Sequence, residues 1–246
     1  MNRDMANIVI YLSYLFGLGS LILFGIFLFN GSFEIIDLHL TVNQALLFNV
    51  GLSLLFFIQH SVMIRQAFRK KLYSLIHEEY YSAFYSIFSG MALFAVVVPW
   101  QKVPLTILSA EGTFYWMLRI LFFLCIAGFY WGVRSLGSFD PLGIKIIKRR
   151  LYNREQKTLS LAARGAYQWV RHPLYFFIII MIWSFPVLTS DRLLFNIIWT
   201  IWIVIGTILE ERDLIAEFGY GYREYQKKVP MIIPSKYKLN KFKAFF

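Results

Sequence analysis

The amino-acid sequence predicts an all-α, polytopic membrane protein. Hydrophobic residues make up 58% of the 246 residues and charged residues only 16%, whereas a soluble domain carries about 25% charged residues. Mean hydropathy is +0.57. The apolar residues are concentrated in stretches of about 20 residues, which is the length of a helix that crosses a bilayer. Together these observations predict a bundle of transmembrane helices.

Six apolar stretches can be drawn as transmembrane helices. They cover residues 8–29, 45–64, 81–99, 114–133, 173–188 and 193–209. The last two are separated by only four residues, so they are expected to form a tight helical hairpin. The N-terminus lacks the charged segment, short apolar core and small-residue cleavage site of a signal peptide, so the first stretch is expected to be a retained helix.

We expect a single membrane domain made of three consecutive parts. Residues 1–133 contain the first four spans, residues 134–172 form a basic loop, and residues 173–246 form the hairpin with a polar tail. Nothing in the sequence indicates an oligomeric state.

The net charge of +11 follows the pattern of membrane topology. The two termini and the loops after the second and fourth spans hold 22 of the 25 Lys and Arg residues, and the opposite loops hold two. Because positively charged loops stay in the cytoplasm, both termini are predicted to be cytoplasmic. The same residues attract anionic membrane lipids, and no nucleic-acid partner is expected.

No metal site is expected. Cys125 is the only cysteine and lies within the fourth span. The four histidines show none of the helical spacings that bind zinc. Residues 77–79 (His-Glu-Glu) have the side chains to ligate a cation, but acidic residues are also favoured in the first turn of a helix.

Arg171, His172 and Pro173 directly precede the fifth stretch. Proline lacks a backbone N–H, which is not needed at the first position of a helix, so Pro173 predicts a helix start. A helix N-terminus that carries an arginine and a histidine suits a carboxylate or phosphate group. The alternative is a basic anchor at the membrane surface.

Glu210 and Glu211 directly follow the sixth stretch. The predicted hairpin returns them to the membrane face at which Arg171 and His172 lie. Carboxylates beside aromatic rings suit a ligand that bears an ammonium or a sulfonium group. A purely structural cluster of ion pairs is the alternative. The aromatic residues near these positions are Trp169, Tyr175, Tyr222 and Tyr225.

These motifs resemble the C-terminal cofactor module of integral-membrane methyltransferases that use S-adenosyl-L-methionine. That superfamily includes the isoprenylcysteine carboxyl methyltransferases and the phospholipid methyltransferases. The matching motifs are Arg-His-Pro-Leu-Tyr (171–175), Glu-Glu (210–211) and Phe-Gly-x-x-Tyr-x-x-Tyr-x-x-x-Val-Pro (218–230). With Gln-His-Ser-Val-Met (59–63) and Ser-Phe-Asp-Pro-Leu-Gly (138–143), the chain is most similar to the bacterial methanethiol S-methyltransferase branch, which is related to the NnrU proteins.

The resemblance implies S-adenosyl-L-methionine as the cofactor and a small thiol or a lipid-like molecule as the methyl acceptor. If methanethiol is the acceptor, the product is dimethyl sulfide. The implied cofactor contacts are Arg171, His172, Tyr175, Glu210 and Glu211, with Pro173 shaping the helix start.

His60 is the candidate catalytic base for a thiol, because a small thiol is mostly protonated at neutral pH. Arg212 is an electrostatic alternative. The structural interpretation of His60 is a hydrogen bond to a neighbouring helix near the end of a span.

Three other functions remain open at the level of sequence. The first is methylation of an isoprenylcysteine carboxylate or a lipid amine by the same module. The second is an NADPH-dependent membrane reductase, since sterol reductases carry a related hairpin. The third is a non-enzymatic assembly or transport protein, although the polar residues cluster at one membrane face and do not line a path across the bilayer.

Overall fold

A computed structural model describes residues 3–137, 140–152 and 163–234. These residues form nine α-helices, and the all-α fold class is confirmed. The helices are α1 (Arg3–Leu12), α2 (Gly19–Asn30), α3 (Val42–Ile64), α4 (Gln66–Leu72), α5 (Tyr81–Val97), α6 (Gly112–Leu136), α7 (Ile144–Leu151), α8 (Pro173–Trp183) and α9 (Ser190–Lys228).

Shorter elements connect these helices. A π-helix (Ser13–Leu18) joins α1 to α2, and 3₁₀ turns precede α5 (Glu78–Tyr80) and α8 (Gly165–Gln168). Two short strands, β1 (Thr106–Ser109) and β2 (Val187–Thr189), pair with each other.

Five helical segments within the described ranges are long and apolar enough to cross a membrane. They are Arg3–Asn30, Val42–Ile64, Glu78–Val97, Gly112–Leu136 and Ser190–Lys228. The chain is therefore an integral membrane protein, with α8 as an additional apolar helix that is shorter than a full span.

The structure differs from the sequence prediction in the fifth stretch. Helix α8 has 11 residues, which is about 16 Å of helix, and it ends where the backbone N–H of Ser184 bonds to the carbonyl of Met181. Pro186 disfavours a helical conformation at Phe185, and residues 187–189 are extended as β2. The turn of the hairpin therefore begins at residue 184, where the sequence analysis placed it at 189.

The chain divides into two compact units. Within the described residues, unit 1 contains residues 3–107, 140–152 and 189–195, and unit 2 contains residues 108–137, 163–188 and 196–234.

In unit 1, α5 packs against α2, α3 and the π-helix. A side chain at Gly90 would collide with the carbonyl group of Phe16. This close approach therefore requires glycine, as is common where membrane helices pack through small residues.

The first turn of α9 is held within unit 1 by two buried charged residues, Asp191 and Arg192. Asp191 accepts hydrogen bonds from Trp100 Nε1 (3.1 Å) and from the backbone N–H of Val103 (3.1 Å). Arg192, which is 2% exposed, donates to the carbonyls of Phe27 (3.3 Å) and Leu28 (2.9 Å) near the end of α2. A cation at that position is favourable because the helix dipole is negative at the C-terminus.

In unit 2, α6 and α8 pack side by side. Gly132 on α6 lies against Leu174 and Pro173 at the start of α8. The 3₁₀ turn before α8 is tied to the end of α6, because the backbone N–H of Ala166 donates to Ser135 Oγ (3.1 Å). These contacts fix the position of the α8 N-terminus.

Candidate functional site

A buried carboxylate, Glu211 on α9, lies at the centre of a polar cluster in unit 2. Glu211 is only 6% exposed. Its partners are Arg171 Nε (2.9 Å) and Nη2 (2.8 Å), His172 Nε2 (2.6 Å), Tyr222 Oη (2.7 Å) and Gln226 Nε2 (2.5 Å). A buried charge is tolerated only when it is paired and hydrogen-bonded, and both carboxylate oxygens meet this condition.

The guanidinium group of Arg171 is directed into the protein. Two of its nitrogens form a bidentate pair with Glu211, which is the geometry that gives the strongest Arg–carboxylate interaction. Its Nη1 donates to the carbonyls of Gln226 (3.1 Å) and Val229 (2.5 Å). Arg171 therefore neutralises Glu211 and also holds the end of α9.

The backbone before α8 is fixed by the chain that follows α9. The N–H groups of Arg171 and His172 donate to the carbonyls of Pro230 (2.8 Å) and Met231 (3.0 Å). Pro173 occupies the first turn of α8, as the sequence predicts.

Glu210 has a different environment from its neighbour. Its side chain is 43% exposed, and Oε2 lies 3.7 Å from His172 Nδ1. The hydroxyl of Tyr175 donates to Glu210 (2.8 Å), and the rings of His172 and Tyr175 stack at 5.6 Å. Glu210 is therefore the carboxylate of the pair that a ligand can reach.

Tyr167 lies close enough to the carboxylate of Glu210 to interact with its charge. Burial raises the pKa of the Tyr167 hydroxyl, and the negative charge of Glu210 adds to the rise. The phenol therefore stays protonated at neutral pH and remains a hydrogen-bond donor.

A break in α9 at Gly219 allows Tyr222 and Gln226 to reach Glu211. Residues eleven positions apart on a continuous α-helix lie about 16 Å apart along its axis, yet Tyr222 bonds directly to Glu211. Gly219 has φ 56° and ψ −124°, a conformation that is accessible essentially only to glycine. The chain therefore reverses direction at a glycine, the residue type that this backbone conformation requires.

The segment after Gly219 is held by apolar packing as well. Tyr222, Tyr225 and Val229 form a buried cluster with Ala163. The hydroxyl of Tyr225 donates to the carbonyl of Tyr167 (2.5 Å). This packing buries Tyr222, whose hydroxyl donates to Glu211.

The structure brings together the residues that the sequence analysis proposed for the cofactor. Arg171, His172, Tyr175, Glu210 and Glu211 all lie within one network of contacts. Sequence analysis missed Gln226, and it treated Tyr222 only as an aromatic face. The available signal was Gly219, because a glycine within an otherwise helical segment indicates a break.

His60 and Arg212 lie in other surroundings. His60 is on α3 in unit 1, where its Nε2 lies 2.8 Å from Tyr85 Oη on α5. This is the contact between helices that the structural interpretation predicts, and the role of His60 as a base stays a prediction. Arg212 is exposed on α9. Of the 138–143 motif, Ser138 and Phe139 lie outside the described residues.

Comparison with known proteins assigns the chain to a family. A sequence model of the NnrU protein family matches residues 48–212, well over half of the chain. The chain belongs to the NnrU family.

The relatives of this NnrU-family protein include several named enzymes. It is 32% identical over 195 residues to a methanethiol S-methyltransferase of Crocosphaera subtropica, covering 77% of this chain and 75% of that protein. It is 33% identical over 192 residues to a methanethiol S-methyltransferase of Pseudomonas deceptionensis, covering 78% and 73%. Rat Nurim is more distant, at 25% identity over 204 residues, covering 78% and 75%. No solved structure matches the chain significantly.

Proposed function

We propose that this NnrU-family protein is a membrane methyltransferase that transfers a methyl group from S-adenosyl-L-methionine to methanethiol. The observation that carries this proposal is the similarity, at 32–33% identity over most of the chain, to proteins named methanethiol S-methyltransferase. The Glu211 cluster supports it, because it unites the Arg-His-Pro and Glu-Glu motifs in one site.

The residues of the cluster fit a ligand of this chemistry. S-adenosyl-L-methionine, when bound, supplies a sulfonium methyl group that passes to a thiolate in one displacement and leaves S-adenosylhomocysteine. Glu210 is accessible and negatively charged, which suits the ammonium group or the ribose hydroxyls of such a molecule. Tyr175 holds the carboxylate of Glu210 in place through its hydroxyl.

Glu211 acts on the site indirectly. Its oxygens are already occupied by four side chains, so its role is to orient Arg171 and His172 beside Glu210. Side chains that are held in place by hydrogen bonds from neighbouring residues can keep the cofactor in the orientation that the displacement needs. Correct orientation lowers the activation barrier of such a reaction by about 7–11 kcal/mol at best.

Deprotonation of the thiol is assigned to His60. Its contact with Tyr85 orients the imidazole ring, and a neutral imidazole has a ring nitrogen that accepts a proton from a thiol. Arg212 is the alternative, since a nearby positive charge favours the thiolate.

The site is proposed to face the cytoplasm of a bacterial inner membrane. This orientation follows from the Lys and Arg bias between alternate loops.

Ligand titration separates methyl transfer from hydride transfer. The detergent-purified protein is titrated with S-adenosylhomocysteine and, in parallel, with NADPH. We expect saturable binding of S-adenosylhomocysteine and no saturable binding of NADPH. Saturable binding of NADPH without S-adenosylhomocysteine would identify a reductase.

A panel of acceptors tests the thiol. Membranes that contain the protein are supplied with radiolabelled S-adenosyl-L-methionine and with a small thiol, a prenylated cysteine or a lipid amine. We expect label in the volatile fraction. Label confined to the prenyl-cysteine or lipid fraction would replace methanethiol by one of those acceptors.

A further inference from the structure

One terminus of each of three membrane-spanning segments of unit 1 lies at a common level. These termini are the start of α1, the end of α3 and the start of α5. The hydroxyl of Tyr81, at the start of α5, donates to the carbonyl of Met63, at the end of α3. Helix α7 connects the starts of α1 and α5 through a shared buried cluster. Its members are Ala6, Ile10, Tyr80, Ala83, Ile144 and Ile147. Because apolar spans end where the hydrocarbon ends, this level corresponds to the lipid head groups.

Helix α7 carries its basic residues on the outward face at this level. Ile144 and Ile147 are buried against the spans, whereas Lys145 and Lys148 are exposed. Asp140 accepts a hydrogen bond from the backbone N–H of Ile146 (3.1 Å) and so fixes the start of α7. A helix with one apolar and one basic face is typical of a membrane interface.

Helix α4 presents a second set of cations beside the same end of α5. Lys70 and Lys71 are exposed. The guanidinium of Arg69 lies 5.2 Å from the centre of the Tyr81 ring and donates to Tyr73 Oη (3.1 Å). Tyrosines are enriched at the level of the head groups, which agrees with this placement.

Cations outnumber carboxylates on these elements. The ranges 65–71 and 145–150 contain eight Lys and Arg residues, whereas the carboxylates on the neighbouring elements are Asp4, Glu78, Glu79 and Asp140. Of these, Glu79 lies 3.5 Å from Arg150. Two apolar side chains beside the cations, Leu75 and Tyr152, are 78% and 62% exposed, as suits side chains that insert between lipids.

We propose that α4 and α7 form a docking surface for anionic phospholipid head groups. This basic surface consists of Lys70, Lys71, Lys145 and Lys148. The four ammonium groups meet the lipid phosphates, while Leu75 and Tyr152 contact the acyl chains. The proposal concerns unit 1 and does not depend on methyl transfer.

Native mass spectrometry of the full-length protein tests the proposal. The purified protein is equilibrated with equal amounts of phosphatidylglycerol and phosphatidylcholine, and the ratio of the two bound lipids is measured. We expect an excess of phosphatidylglycerol for the wild type. In Lys145→Gln/Lys148→Gln the ratio should fall by about tenfold or more, since each interfacial cation contributes about fivefold to anionic-lipid binding. Lys70→Gln/Lys71→Gln should show the same loss.

Two control variants separate this surface from net charge. Lys145→Arg/Lys148→Arg keeps the charge and should keep the lipid preference. Lys227→Gln/Lys228→Gln removes the same charge from the end of α9, outside the proposed surface, and should leave the ratio within about twofold of the wild type.

Three results would overturn the proposal. The first is a wild-type ratio near one. The second is an unchanged ratio in both glutamine variants of α4 and α7, with thermal unfolding equal to that of the wild type. The third is displacement of phosphatidylglycerol by excess inorganic phosphate at constant ionic strength, which would identify a site for free phosphate.

Discussion

At the scale of single residues, two adjacent glutamates have opposite environments. Glu211 is enclosed by hydrogen-bond donors, whereas Glu210 reaches solvent. Breaking a buried ion pair by removing one partner costs about 3–5 kcal/mol of folding stability, because the remaining charge stays buried. An accessible carboxylate carries no such penalty. The two positions are therefore expected to respond differently to the same substitution.

Glu210→Gln should weaken the binding of S-adenosylhomocysteine by about 1–3 kcal/mol, the contribution of a charged hydrogen bond, without lowering the unfolding temperature. Glu211→Gln should weaken binding to a similar extent and should also lower the unfolding temperature, because Arg171 loses its counter-ion. Calorimetry measures the affinity, and thermal unfolding measures the stability.

Glu224→Gln is the matched control, because Glu224 is partly exposed to solvent and interacts with its near neighbours Tyr220, Lys227 and Lys228. It should change neither quantity. Unchanged affinity in folded Glu210→Gln and Glu211→Gln would remove both glutamates from the cofactor site.

His60→Ala should lower methyl transfer by about 100-fold or more if His60 is the base, while cofactor affinity stays nearly intact. Raising the pH towards the pKa of the free thiol should recover part of the loss, because thiolate then forms in solution. Steady-state rates across pH measure both effects.

His60→Asn distinguishes catalysis from packing. An amide keeps a hydrogen bond to Tyr85 but does not accept a proton. Full activity of this variant at neutral pH would show that His60 is structural, and thiol activation would then be assigned to Arg212.

The single residues of the site were partly predictable from sequence. Arg171, His172 and Glu211 stand in recognisable motifs, and their proximity followed from the predicted hairpin. The full set of hydrogen bonds to Glu211 was not predictable. Two of them come from Tyr222 and Gln226, which contact Glu211 only because the helix breaks at Gly219. Periodicity along a helix carries no information about such a reversal.

At the scale of elements, the break in α9 is the feature on which the site depends. A side chain at Gly219 would meet no atom within 4 Å, so only the backbone conformation demands glycine. Gly219→Ala should therefore lower the free energy of unfolding by about 1–3 kcal/mol and weaken S-adenosylhomocysteine binding, as Tyr222 and Gln226 move away from Glu211. Chemical denaturation and calorimetry measure these two quantities.

Gly206→Ala is the control on the same helix. Gly206 is helical and also has open space at the Cβ position, so alanine should be neutral or stabilising there, by up to about 1 kcal/mol. Equal effects of the two substitutions would show that the break at Gly219 does not hold the site.

Element boundaries were predictable where one strong signal dominated. Pro173 correctly marked the start of α8. The end of α8 was missed because all residues up to 188 except Ser184 are apolar, and this hydropathy outweighed the effect of Pro186 on the preceding residue. Length and hydropathy identify a span, but they do not show where a backbone leaves the helix.

At the scale of the whole molecule, the charge distribution predicts an orientation that labelling can test. In a Cys125→Ala background, Ile35→Cys should react with an impermeant maleimide added outside the cell, and His77→Cys should react only after the membrane is opened. Both Ile35 and His77 are exposed, so accessibility within the protein does not limit the reaction. The reverse labelling pattern would overturn the cytoplasmic placement of the site.

The membrane class and the family followed from composition and from ordered motifs; the helices of the structure confirmed the first, and the family comparison confirmed the second. The methyl acceptor is harder to predict, because it depends on which polar groups of the first four spans meet the thiol. Only the Gln-His-Ser motif at 59–61 offered such groups at the level of sequence.

Transfer of a labelled methyl group tests the central claim most directly. The purified protein is incubated with methanethiol and with S-adenosyl-L-methionine that carries a trideuterated methyl group, and the headspace is analysed by gas chromatography with mass detection. We expect the wild type to form dimethyl sulfide that contains one deuterated methyl group, and Glu210→Gln to form less of it. Absence of labelled dimethyl sulfide from a folded protein that binds S-adenosylhomocysteine would contradict the proposed methyl transfer to methanethiol.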